Sequence, residues 1–167
     1  MKNERSSREH RLSGRHLEME YEAPDDPYHL RGKLPEPTVC GDCGAVFHDG
    51  RWQWMSAPAH AHQTRCAACR RVHEGLPAGY VSIEGKFPHS HRDEVLHLVR
   101  NVETREKKEH PMQRLMSMDE VGENLSLTTT DIHLARNIGE ALRHAYKGKL
   151  NFHYNKSEYL LRVQWQR

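Results

Sequence analysis

The four cysteines of this 167-residue chain fall in two Cys-x-x-Cys pairs, Cys40 with Cys43 in VCGDCGAVF and Cys66 with Cys69 in RCAACRRVH, and none is left over. Four thiolates in two such pairs suit a tetrahedral zinc ion held for structure. A thiolate turn of the first kind needs backbone N–H groups aimed at sulfur and a tight bend after the second cysteine. Gly41 and Gly44 supply the permissive backbone. In the second pair Arg70 stands where the first has a glycine, and Ala67, Ala68, Arg70 and Arg71 favour a helix, so this pair is expected on the first turn of a short one. Twenty-two residues separate Cys43 from Cys66, enough for a hairpin between the two halves of the site.

Other chemistries fit the pattern less well. A redox Cys-x-x-Cys sits alone at a helix start and needs no second pair. An iron–sulfur cluster also takes four cysteines, but zinc is the commoner filling. A catalytic zinc keeps an open position, and four thiolates leave none. A zinc deaminase pairs His-x-Glu with Pro-Cys-x-x-Cys. The one His-x-Glu here is His16-Leu17-Glu18, and neither cysteine pair follows a proline. Of fourteen histidines, His48, His60, His62 and His73 lie close enough in sequence to replace a cysteine or hold a second metal, with surface positions as the plainer reading. No nucleophile–base pair or phosphate loop is found, so a non-catalytic protein without a small-molecule substrate is expected.

The elements that must position these cysteines divide the chain in three. Residues 1–35 interleave basic and acidic side chains, with no apolar stripe in the first 16, and then reach the acidic, Pro-broken EAPDDPYHL. They read as a disordered tail, the alternative being an arm that orders on a partner such as RNA. Residues 36–88 carry the cysteines among short apolar runs, Gly, Pro and Ala, and read as a small zinc-ribbon or treble-clef-like module stapled by its metal. Residues 89–167 read as an α/β unit. Ser90 is expected to cap a helix carrying Val95, Leu98, Val99 and Val102, which stops at Glu109-His110-Pro111. MQRLMSMDEV and LSLTTT follow as strands joined at Gly122-Glu123-Asn124. Asp131 is expected to cap a second helix with Ala135, Ile138, Leu142 and Ala145 buried and Gly148 at its end. Alternating runs at 150–154 and 159–165 complete a four-stranded sheet. The expected class is α+β: zinc module, helix, then β-β-α-β-β.

Two surfaces could meet a partner. Arg51-Trp52-Gln53-Trp54 reads as a strand with both tryptophans on one face, either covering the zinc core or, beside Arg65, Arg70 and Arg71, offering a platform for RNA bases. On the second helix Arg136 and Arg143 share a face, which is either solvated or phosphate-facing. The net charge of +2 means that nucleic-acid affinity must come from such local patches. No apolar run approaches a membrane span, the N-terminus has no secretory apolar region, and paired cysteines suit a reducing cytosol, so a cytoplasmic protein is expected.

With CGDC, CAAC and the stretch LSLTTTDIHLARNIGEALRHAYKGKLNFHY in view, the chain resembles short bacterial relatives of the NMD-three family, which includes the export adaptor of the large ribosomal subunit. The resemblance covers roughly residues 36–165. It implies association with a ribosomal particle or RNA. The larger members have more cysteine pairs and extra domains, so nuclear export does not carry over.

Overall fold

The computed structural model of the protein describes residues 25–28 and 33–167. Two sheets carry the fold. The first has four short strands, β1 (Thr38–Cys40), β2 (Val46–His48), β3 (Arg51–Gln53) and β4 (His62–Thr64), in the order β3-β2-β1-β4. β1 pairs antiparallel with β2 and parallel with β4. Helix α1 (Ala67–Glu74) follows and ends on Gly75, whose φ of 67° closes the helix in the left-handed region.

The second sheet has five strands: β5 (Gly79–Glu84), β6 (Leu115–Val121), β7 (Asn124–Thr129), β8 (Lys149–Tyr154) and β9 (Leu161–Gln166), in the order β6-β7-β5-β9-β8. β5 lies at its centre, antiparallel to β7 and parallel to β9. Short α2 (Lys86–Ser90) and long α3 (Arg92–Glu109) connect β5 to β6, and α4 (Ile132–Tyr146) connects β7 to β8. Alternation along the strands sends Val81, Ile83, Leu125, Leu127, Leu161, Val163 and Trp165 to one face. There they form one core with Val95, Leu96, Val99 and Val102 of α3 and Leu134, Ala135, Ile138 and Leu142 of α4. Gly139 lets α4 approach the sheet: a Cβ there would lie 2.6 Å from Val163 Cγ1. No helix among the described residues is long and apolar enough to cross a membrane.

The α+β class expected from sequence is the class observed, and several details differ. The sequence pattern assigns residues 79–84 to the cysteine module, which it ends at 88. They are instead the central strand of the second sheet, which therefore has five strands rather than four. Ser90 does not cap α3: it ends α2, its hydroxyl donates to the Lys86 carbonyl, and His91 precedes the first turn of α3. Asp131 does cap α4, accepting from the N–H groups of His133 and Leu134. Ala145 is exposed because the buried stripe of α4 ends at Leu142. Within the tail expected over 1–35, residues 25–28 pack on α1: Asp26 and Tyr28 both engage Arg71. Residues 1–24 and 29–32 of that expectation lie outside the described residues.

Candidate metal centre

β1 delivers Cys40 at its last residue. The chain then turns so that the Gly44 N–H donates back to the Cys40 carbonyl at 2.9 Å, with Gly44 at φ 78°. Only glycine adopts that angle without strain, so the bend that brings Cys43 beside Cys40 depends on it. Cys66 is the N-cap of α1, and its sulfur accepts from the Cys69 N–H at 3.4 Å. Cys69 therefore sits on the first helical turn, as the Ala-rich spacing predicts. Strand β4, parallel to β1, places the second pair beside the first.

The four sulfurs lie within 4.8 Å of one another, and no other group of three or more His, Cys, Asp or Glu side chains among the described residues could hold a metal. His48, His60, His62 and His73 are not part of the cluster. All four cysteines are free. The sulfurs of Cys43 and Cys66 are 3.8 Å apart. A disulfide needs about 2.05 Å. A tetrahedron with metal–sulfur bonds of about 2.3 Å has edges of roughly 3.8 Å. The cluster thus has the size of a four-thiolate metal site, and Cys40, Cys66 and Cys69 are buried.

The thiols differ in their surroundings. Burial raises Cys40, but backbone N–H groups of Cys66, Cys43 and Asp42 outweigh it and bring the thiol down to about 7. Burial pushes Cys66 well up, and the neighbouring cysteines add to it. Burial also raises Cys69, against the pull of Arg114. The sequence pattern does not single out Arg114. It lies between α3 and β6, and its guanidinium donates to Cys43 Sγ at 3.0 Å and Cys69 Sγ at 3.2 Å, with Cys66 Sγ at 3.7 Å. Burial lowers its pKa, but the sulfurs of Cys43 and Cys69 more than reverse this, so it stays charged. No local signal marks it, because it comes from the other sheet, 45 residues beyond Cys69.

Comparison of the chain with family models, characterised proteins and solved structures gives no match.

The basic and aromatic residues expected to meet RNA are scattered in role. Arg71 is 3% exposed. Its guanidinium bonds Asp26 at 2.6 Å and the Leu76 carbonyl at 3.0 Å, with the Tyr28 ring 4.3 Å away. It holds residues 25–28 to α1 and presents nothing to a phosphate. Trp52 is half-buried, edge-on to Phe47 and packed against the cysteines, so it covers the metal core. Trp54 lies beyond the end of β3, is 39% exposed, and donates to the Lys107 carbonyl. Arg65 pairs with Asp42, Arg70 donates to the Arg65 carbonyl, and Arg51 is exposed. On α4, Arg136 bonds the Tyr154 hydroxyl over the Phe152 ring, and Arg143 pairs with Glu140.

Proposed function

We propose that the protein is a zinc-stapled binding protein, not an enzyme, whose partner is RNA or a ribosomal particle. The observation that carries the zinc and the non-catalytic role is the closed set of four thiolates at tetrahedral spacing. Zinc fits four soft thiolates, prefers a tetrahedron, and undergoes no redox change. With every coordination position taken by cysteine, no site remains for an activated water or a substrate. The metal's work is then to hold a unit whose strands are three residues long.

The partner rests on the resemblance to the NMD-three family and on cations left at the surface of the metal unit. Arg51 and Arg65 are exposed and Arg70 is half-buried, with Trp54 exposed on the same unit. A rigid, metal-tied surface presents such groups at little ordering cost. Sucrose-gradient sedimentation of cell extract tests it. The protein should travel with ribosomal particles at low salt and leave them as salt rises, because phosphate contacts release counterions. Replacing Arg51 and Arg70 with glutamate should weaken that association while zinc content stays unchanged. Sedimentation only at the top of the gradient at every salt concentration would overturn the partner.

A second reading, a zinc-stapled module that binds another protein, is favoured by the ion pairing of the cations. Arg65, Arg92 and Arg143 each face a carboxylate, which leaves little unbalanced positive charge for phosphate. Capture of a partner that survives both nuclease and high salt would favour it.

A further inference from the structure

The metal unit supplies only part of its own outer shell. Each sulfur meets at least one N–H donor, and the donors come from two sources. Cys40 accepts from the Cys66 backbone at 3.3 Å, and Cys66 accepts from the Cys69 backbone. Cys43, Cys66 and Cys69 face the Arg114 guanidinium, which spans the triangle of sulfurs opposite Cys40. Arg114 belongs to the second sheet's connections. Its own N–H donates to Thr130 Oγ1 at 2.9 Å, its carbonyl accepts from the Thr130 N–H at 2.9 Å, and its Nε donates to the Pro111 carbonyl at 2.7 Å. Thr130 is itself buried and donates to the Met112 carbonyl at 2.6 Å. The guanidinium is therefore aimed by the α/β domain, from the end of β7, and its fork matches three sulfurs at once.

We propose that Arg114 is an outer-sphere component of the metal centre, so that retention of the metal depends on the docking of the α/β domain. This rests on the zinc reading above and goes beyond it. A divalent metal with four thiolates carries two negative charges in excess. A half-buried guanidinium on one face of that tetrahedron offsets one of them, and its N–H groups draw electron density from three sulfurs. The same contact ties the units together: metal loss removes the anionic face that holds Arg114, and undocking removes the cation that holds the metal. Trp54, whose ring lies 5.8 Å from the guanidinium and whose Nε1 bonds the C-terminal end of α3, sits at this junction and reports on it.

The test uses the full chain loaded with zinc and competed against a chromogenic chelator, with circular dichroism as the check of folding. Arg114→Met should weaken zinc affinity about 10- to 100-fold, the usual cost of an outer-shell partner. Arg114→Lys should fall between the two, because an ammonium keeps the charge but lacks the fork. Arg105→Met, which removes an exposed cation of α3, should leave affinity unchanged. Iodoacetamide should alkylate the zinc-bound thiolates faster in Arg114→Met than in the parent, because three sulfurs lose the N–H groups that lower their nucleophilicity. A folded Arg114→Met protein with parental affinity and alkylation rate overturns the assignment. If Arg114→Met fails to fold, Arg114→Lys decides: parental affinity overturns it, and a several-fold loss supports it. A parent chain that takes up no zinc overturns the metal reading, and this assignment with it. Zinc-loaded parent with indifferent variants overturns this assignment alone.

Discussion

Replacing Cys66 with serine tests the dependence of the metal unit on its metal. Cys66 is 1% exposed, caps α1 and lies 3.8 Å from Cys43. Serine keeps a cap oxygen but supplies no thiolate, so one corner of the tetrahedron is lost. The unit has little else to stand on. Its one fully buried aliphatic side chain of any size is Val46; Ala45 and Ala68 are also buried but contribute only a methyl group each. Burying one valine contributes about 1.5–3 kcal/mol. A structural zinc contributes about 10–16 kcal/mol. The metal term exceeds the apolar term several-fold, so loss of the metal should unfold β1–β4 and α1. The second sheet should survive, because its core holds Trp165, Ile83, Leu127, Leu134, Ile138, Leu142 and Leu161 fully buried. Elemental analysis and amide hydrogen exchange check both halves. Zinc should fall from about one per chain to near zero. Protection should be lost over 38–74 and kept over 79–84, 125–129 and 161–166. Native-like protection of β1–β4 in the metal-free variant would refute the reasoning, since the strands would then be held by packing alone.

Arg71→Met should lower stability by about 2–3 kcal/mol, less than the full cost of breaking a buried pair, because Asp26 is 22% exposed. A thermal melt should show it, and no change in the transition would mean that residues 25–28 do not hold to α1. Gly139→Ala should destabilise by about 1–3 kcal/mol despite the better helix propensity of alanine, since the new Cβ would meet Val163 at 2.6 Å and Leu150 at 2.9 Å. The urea midpoint should fall with an unchanged slope. Burial and the Asp131 carboxylate hold the Tyr159 phenol well above its ordinary 10.0. The group is neutral in the fold, so its contribution to stability is complete below pH 10 and is lost as pH rises beyond it. Tyr159→Phe should therefore reduce the loss of stability between pH 10 and 11, measured by urea unfolding at each pH.

The sequence by itself determines what is local. The two Cys-x-x-Cys pairs, the turn at Gly44, the helix that starts at Cys66, the Asp131 cap, the buried stripe of α4 and the β6–β7 and β8–β9 hairpins all depend on neighbours a few residues away. Their patterns are legible because backbone geometry and side-chain period impose them. The tertiary structure alone decides the rest. β5 pairs with strands some 45 and 80 residues further on, and nothing within GYVSIE says that it lies in the middle of a sheet. The RCAACRR run places Arg70 and Arg71 side by side, yet helix geometry turns them apart, so that Arg71 is buried against Asp26 and Arg70 is not. Arg114 lies in a stretch that reads as the start of a strand, and only the docking of the two sheets brings its guanidinium onto three sulfurs. A ligand set repeats a local spacing, whereas the charge that balances it is supplied by whichever part of the chain the fold brings nearest.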